Sequence, residues 1–405
     1  MQRQASMAFI LISVLINVMG LGLVIPVLPA LIQELAGNVS AGSFYNGVFI
    51  AIYAAMQFVF APILGRLSDR YGRRPILLIS SFGTALDYLV AALAPSLAWL
   101  LVARIVAGIL GASFSTANAY IADVSRPEER ARNFGLLGAV FGLGFILGPG
   151  IGGLLGNSDL RLPFYFAAGL ALLNSVYGWF VLPESLKPEH RQTARGSLNP
   201  LSSLGILNSS PLIRGLAVSS VLGNLAFQIL QSVWVLYTSY RFGWSVGQTG
   251  LSLVLVGVMA AIIQGGLIRV IVSRLGERRS VLFSQAASIA SFTLYGLAFQ
   301  GWMMYATILI GALGNVGGPA SQSILSRSVS ARQQGTIQGA LTALVSLTGV
   351  VGPLLGGAVF AQFSREGQPS WMVGMPFFVG TLLYIVTLIN TTLTFRRSPE
   401  EPPQT

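Results

Sequence analysis

The 405-residue chain has no cysteine, one histidine and charged side chains at only 9% of positions. Without cysteine, disulfides and thiolate metal sites are excluded. The sole histidine, His190, lies in the central polar stretch without a metal partner of comparable position. There is no G-x-x-x-x-G-K-[ST] stretch, and the longest polar segment, 183–210, is too short to house a nucleotide-driven motor. What fills the sequence is apolar. It is 53% hydrophobic with a mean hydropathy of +0.71, more than a soluble core requires, so most of its surface is expected to meet lipid.

Twelve apolar runs are each long enough to cross a hydrocarbon layer of about 30 Å as a helix rising about 1.5 Å per residue. They are predicted at 8–30, 44–66, 75–94, 97–118, 134–156, 163–182, 212–238, 247–271, 279–299, 302–326, 335–361 and 371–392. The runs are continuous instead of alternating at every second residue, which disfavours a β-barrel. The first run resembles those that follow and contains G20-L-G-L-V-I-P-V-L-P29, so it reads as a Gly/Pro-interrupted span and not as a cleaved signal. A net charge of +11 invites a nucleic-acid reading, but the positions of the charges oppose it. Twenty of the 24 basic residues fall on the side carrying both termini. Arg161, Arg241 and Arg365 fall on the other side, and Arg104 lies within a span. The expected fold is an all-α membrane protein of twelve transmembrane helices. Both termini are expected in the cytoplasm, with the basic side against anionic headgroups of the plasma (inner) membrane.

The stretch 183–210 separates six spans from six. G148-P-G-I-G-G153 and G352-P-L-L-G-G357 match at four of six positions under a shift of 204, and the same shift lays G65-R-L-S-D-R-Y-G-R-R74 over R269-V-I-V-S-R-L-G-E-R278. Two matches at one offset imply an N-terminal six-helix bundle at 1–182, a cytoplasmic linker at 183–210 and a C-terminal six-helix bundle at 211–405. That is the build expected of a two-bundle secondary transporter.

The segment G65-R-L-S-D-R-Y-G-R-R-P75 packs five charges into eleven residues. So short a connection cannot fold alone, so its charges are expected to work between helices. Asp69 can accept hydrogen bonds from a neighbouring helix N-terminus, and Arg70 and Arg74 can complete a latch with Asp123, Glu128 or Glu129. Gly65, Gly72 and Arg73 belong to the same expected latch. The plainer alternative is that the arginines only enforce topology. Gly148 with Pro149, and Gly352 with Pro353, are expected helix bends, because glycine admits a close neighbour and proline removes a backbone donor. The alternative there is ordinary small-residue packing.

Of 13 acidic residues only Asp87 falls in the membrane interior, and Arg104 is the only deeply placed base. Asp87 lies 13 residues beyond Arg74, about 20 Å up its helix, while Arg104 lies about 10 Å down the next helix from its outer end. The two reach similar depth and can pair directly or through water. Both are too costly to leave in lipid. Asp87 is a candidate site for a proton or a cationic substrate, or half of a fixed ion pair. Arg104 tunes it, relays protons or binds an anion. Asn224, Gln228 and Gln231 recur at i, i+4 and i+7 as a polar stripe, with Trp234 and Tyr237 beyond it. Asn17, Gln57, Asn118, Gln264 and Asn315 are further cavity candidates, although such a residue alone is more often an interhelical hydrogen bond than a substrate ligand.

The motifs G20-L-G-L-V-I-P-V-L-P29, G65-R-L-S-D-R-Y-G-R-R-P75, L86-D-Y88, R104-I-V-A-G108, I121-A-D123, E129-R-A-R-N-F-G135 and G138-x-x-x-G142 through G148-P-G-I-G-G153 together resemble the major facilitator superfamily. Within it they resemble the twelve-helix drug/proton antiporters of the tetracycline-exporter kind. The resemblance covers nearly the whole chain and is sharpest in the first half. It implies that Asp69 helps latch the first bundle to helix eleven of the second in the outward-facing state; Ser273 stands at the corresponding position of the second half, so the latch is expected to be asymmetric. It also implies that the Gly-Pro helix marks an antiporter. The pattern departs from the family in three places. Asn17 stands where the family has an acid on helix one, Ala260 stands near the helix-eight histidine position, and helix nine carries Gln285 and Ser288 but no acid. A magnesium–tetracycline chelate would lack much of its anionic surroundings there.

The expected function is proton-coupled antiport, exporting amphipathic drugs or related small molecules by alternating access. No enzymatic step, metal or cofactor is expected beyond the proton as coupling ion, and the protein is expected to work as a monomer in contact with membrane lipids. The alternatives are a proton-coupled metabolite symporter, a carrier of lipids or lipid-linked compounds with Arg104 receiving an anionic head, and a membrane sensor that binds without turnover.

Overall fold

The computed structural model describes residues 2–111, 114–125, 129–186, 189, 191, 204–329, 331–365 and 368–398. A backbone in lipid must satisfy its own hydrogen bonds, and a helix does so within one segment. All regular structure among the described residues is helical. The first segment has two limbs, α1 (Gln2–Val24) and α2 (Leu28–Ala36), parted at Pro26, which can neither donate to a helical ladder nor fit against the carbonyl of the preceding turn. There follow α3 (Val39–Tyr71), α4 (Arg73–Leu93), α5 (Leu97–Gly111) with α6 (Phe114–Val124), α7 (Arg130–Ser158) and α8 (Leu162–Val181). The second half comprises α9 (Pro211–Phe242), α10 (Val246–Ile262) with α11 (Ile268–Leu275), α12 (Glu277–Leu297), α13 (Gly301–Ala312) with α14 (Gly317–Arg327), α15 (Ala331–Phe363) and α16 (Met375–Arg397).

Among the described residues eleven stretches are long and apolar enough to cross a membrane. The pair α13–α14 makes the twelfth segment of an all-α, twelve-helix membrane fold. Its second limb, GGPASQSILSR, is polar, and a 3₁₀ turn at Leu313–Val316 joins the limbs. That turn has a local cause. Gly311, Gly314 and Gly317 recur every third residue, the period of a 3₁₀ helix. They lie against Ser291, Ser288 and Ser284 of α12, where a Cβ on Gly314 or Gly317 would collide with a serine hydroxyl.

Helix ends depart from the predicted spans where charge was taken for loop. α3 continues through Arg66, Asp69 and Arg70 to Tyr71, and α4 starts at Arg73, so the connection is Gly72 alone, at φ 107°. Polarity ends a membrane span but not a helix; a glycine in the left-handed region ends a helix. Gly276, at φ 74°, makes the same pivot between α11 and α12, 204 residues later. α7 and α15 each run unbroken through their internal prolines, Pro149 and Pro353.

By packing the chain divides into Met1–Leu198 with Thr238–Gly257, and Asn199–Tyr237 with Val258–Thr405. The expected linker lies largely outside the described residues, as do Glu128 and His190. In the first unit α1 packs on α7 and α8, and α4 packs on α5 and α8. The backbones of α1 and α7 nearly touch, since a Cβ on Gly148 would stand 2.7 Å from the Cα of Gly22. The stretch 238–257 joins this unit through glycine contacts of the same kind. Gly250 lies against Gly153, and the amide of Gly247 donates to Asn157 Oδ1 at 3.0 Å.

In the second unit α12 packs on α13, α14 and α16, and α15 lies against α9 with Gly352 on Gln228 and Gly356 on Ser232. Its polar core ties α9, α12 and α16 together. Ser219 shares a hydrogen bond with Thr391 at 2.8 Å, Gln285 Nε2 donates to Thr391 Oγ1 at 2.9 Å, and Asn390 Nδ2 donates to Ser219 Oγ at 2.9 Å.

Candidate transport site

α4 and α5 bring Asp87 and Arg104 together as their depths predict. Arg104 Nη2 stands 3.4 Å from Asp87 Oδ2, and the residues are only 5% and 2% exposed. The pair is incomplete, because Asp87 Oδ1 and Arg104 Nε have no hydrogen-bond partner among the described residues. A buried polar atom left so costs about 1–3 kcal/mol, more when charged, so this oxygen can accept a proton, a water or a donor on a ligand. A cavity of about 50 Å³ adjoins it, lined by Asn17, Tyr53, Thr84, Tyr88 and Gly111 besides the pair.

Glycines shape the cavity wall. Gly20 leaves room for the Tyr88 hydroxyl against α1, Gly108 lets α5 approach the backbone of Tyr53, and Gly111 faces the Gln57 amide and the Tyr53 hydroxyl. Gln57 Nε2 donates to that hydroxyl at 2.9 Å. Of the sequence candidates, Asn17 and Gln57 thus join Asp87 and Arg104. Tyr88 and Thr84 were missed, although Tyr88 adjoins Asp87 in sequence.

The remaining candidates do not gather here. Asn118, Gln231, Gln264 and Asn315 are exposed. Gln264 sits in a π-helical turn, Ile263–Leu267, and Asn315 in the 3₁₀ turn. Asn224 Nδ2 donates to the Ser220 carbonyl of its own helix at 2.9 Å. Trp234 and Tyr237, expected to offer aromatic surface beyond the polar stripe, are buried instead. Trp234 packs edge-on against Tyr295, and Tyr237 packs on Phe377 and donates to the Tyr295 carbonyl at 2.8 Å.

At the charged end of the first unit the hub is Arg73, which is buried. Its Nη1 donates to Ser68 Oγ at 2.6 Å and to Asp69 Oδ1, and its Nε donates to Asp123 Oδ2 at 3.2 Å. Among the expected latch residues, Arg70 and Arg74 go elsewhere. Arg70 lies over the Tyr71 ring, and Arg74 Nη2 donates to the Trp179 carbonyl at 2.7 Å. Among the described residues Asp69 accepts from Arg73 and from no helix N-terminus. Glu184 caps one, accepting from the backbone amides of Arg73 and Arg74 at 2.9 and 3.3 Å, where the unpaired donors and dipole of α4 favour an anion. Glu184 also fills the space beside Gly72 that a Cβ would need, and Gly65 contributes its carbonyl to Ser68 Oγ at 3.1 Å.

The repeat carries the same clamp with its charges exchanged. Under the shift of 204, Arg73 becomes Glu277 and Asp123 becomes Arg327, and Glu277 and Arg327 form an ion pair, joined by Ser323 Oγ donating to Glu277 at 2.7 Å. Arg74 becomes Arg278, which also donates to a carbonyl, that of Phe395, at 3.2 Å.

Comparison with known proteins gives this architecture its relatives. The Major Facilitator Superfamily matches over residues 10–299 and 267–405. The class C tetracycline resistance protein of Escherichia coli is 41% identical over 389 residues, 96% of each chain. The class G protein of Vibrio anguillarum is 39% identical over 392 residues, 96% of this chain and 97% of its own. Among solved structures, a bacterial homolog of the human lysosomal transporter Spinster, inward-facing and unoccupied, superposes with a TM-score of 0.80 over 99% of both chains at 17% identity, a likeness of fold. The human organic anion transporter MFSD10 superposes with a TM-score of 0.69 at 25% identity, over 96% of this chain and 99% of its own. The chain therefore belongs to the Major Facilitator Superfamily, whose members are transporters and not enzymes.

Proposed function

We propose that the chain is a proton-coupled antiporter that exports amphipathic drugs or related small molecules by alternating access across a plasma (inner) membrane, with both termini in the cytoplasm. The observation that carries this reading is Asp87, an acid buried at membrane depth, held by Arg104 through one oxygen and left open at the other. A proton arriving at the open oxygen removes the charge that holds the guanidinium. Arg104 is then a buried cation without its counter-ion, which favours rearrangement until it is hydrated or Asp87 is ionised again. Each unit of pH difference supplies about 1.4 kcal/mol per proton to that cycle. Kinship with tetracycline-resistance proteins supports a drug as cargo. Neutral Asn17, Ala260, Gln285 and Ser288 in place of the family's ionisable groups favour a neutral or singly charged amphiphile over a metal chelate.

The test is flux into vesicles containing the purified chain, with and without an imposed pH gradient, for a panel of amphipathic drugs that includes tetracycline. The pH gradient is expected to drive uptake by the unsubstituted protein and not by Asp87→Asn, with both proteins equally folded. Equal rate and stoichiometry in the two would remove Asp87 as the coupling site.

A further inference from the structure

α1, α4 and α8 enclose a second polar feature that the mechanism above leaves unused. Ser13 Oγ on α1 donates to Asn174 Oδ1 on α8 at 2.9 Å, and Asn174 Nδ2 donates to Ser81 Oγ on α4 at 3.1 Å. All three side chains are buried. Beside them is a cavity of about 30 Å³, lined by Ser13, Asn17, Ser81 and Asn174 among apolar neighbours. Asn17 lines this cavity and the one at Asp87 alike. A water needs about 10–15 Å³ of such space and two to four polar partners, and both cavities meet those terms.

The hydrogen-bonding groups also fall in steps. Asn17 is one helical turn from Ser13 on α1, and on α4 Ser81, Thr84 and Asp87 follow one another at three-residue intervals, about 4.5 Å apart along the axis. Thr84 Oγ1 spends its proton on the Ser80 carbonyl at 2.8 Å, which leaves its lone pairs to accept. Among the described residues the titratable or charged groups lining the cavity with Asp87 are Arg104, Tyr53 and Tyr88, and no other acid lines either cavity.

We infer that a file of buried water inside the first unit, held by Ser13, Asn17, Ser81, Thr84 and Asn174, carries the coupling proton between Asp87 and the cytoplasmic half of that unit. The inference rests on the proton-coupled reading. Transfer is by exchange of hydrogen bonds. Oδ1 gives its proton to the adjoining water, which passes one to the next, and the far end of the file releases one to the cytoplasmic side, so one proton leaves for each that Asp87 loses. The Asn174 amide carries no proton. It is a positioning residue that fixes the Ser13 and Ser81 hydroxyls so that their remaining lone pairs face the file.

Vesicles containing the full-length chain separate this role from a merely structural one. Two modes are compared, with tetracycline and ethidium as probes: uptake driven by a pH gradient, and exchange of labelled for unlabelled probe without one. Asn174→Leu keeps the volume and removes the hydrogen bonds. It is expected to lower kcat of pH-driven uptake about tenfold with KM unchanged and to leave exchange within about twofold, whereas Asn174→Ser, which supplies a hydroxyl in place of the amide and admits another water, retains most of the activity. Ser13→Ala, which carries the same expectation, stands in should Asn174→Leu fail to reach the membrane. If both modes fall together, or neither changes, the file is refuted while pH-driven uptake by the unsubstituted chain still stands. If the unsubstituted chain shows no pH-driven uptake of either probe, the proton-coupled reading falls and the file with it.

Discussion

At the scale of single residues, the cost of burying Asp87 is offset mainly by Arg104, and the long contact and two unpaired atoms make the balance easy to tip. Removing one member of a buried pair costs about 3–5 kcal/mol, because the other charge is stranded, whereas replacing both by neutral groups of similar shape is often nearly neutral. Arg104→Met is therefore expected to lower thermal stability in detergent sharply, and Arg104→Met combined with Asp87→Asn is expected to recover most of it. A double variant as unstable as the single would mean that Asp87 is not what Arg104 neutralises. This pair was legible in the sequence because helix rise fixes depth and lipid penalises stray charge. Tyr88 and the Ser13–Asn174–Ser81 triad were not legible, because their roles depend on which face of each helix meets which neighbour. Only the Gly20 contact with Tyr88, seen in three dimensions, reveals the fit.

Between elements, the decisive parts are glycines and carboxylates at helix ends. The shift of 204 exposed the repeat, but not which charges pair. The sequence pointed to Arg70 and Arg74 as partners of Asp123, Glu128 or Glu129, with Arg73 in the same latch, and it is Arg73, at the start of α4, that meets Asp123 of α6. Nor was Glu184 foreseeable as the cap of α4, since it lies 111 residues from Arg73. The exchanged charges of the two clamps give a direct test. Asp123→Arg sets a cation against Arg73 and is expected to reduce transport severalfold. Arg73→Glu combined with Asp123→Arg copies the polarity of Glu277 and Arg327 and is expected to restore part of it, short of the original because Asp69 then faces an acid. We propose further that this cluster is a state-dependent clasp and not only an anchor. On that view the double variant regains membrane abundance fully but transport only in part. Equal recovery of both would reduce the cluster to an anchor.

For the whole molecule, orientation decides which compartment each end of the first unit's polar file faces, and it is governed by charge outside the helices. Twelve segments place both ends on one side, and twenty of 24 basic residues lie on that side. Carrying one positive charge against a membrane potential costs about 2.3 kcal/mol per 100 mV, so an excess of this size leaves the inverted arrangement strongly disfavoured. Alkaline phosphatase, active only outside the cytoplasm, is therefore expected to be inactive when fused after Arg397 and active when inserted between Ser158 and Asp159, where α7 ends. A fluorescent protein that matures only in the cytoplasm should show the reverse. Activity after Arg397 would place the basic clamps outside and Asp87 closer to the other compartment. The water file would then open on the compartment opposite the one proposed, and its assignment to the cytoplasmic side would fall, whereas antiport would still send cargo against the proton flow.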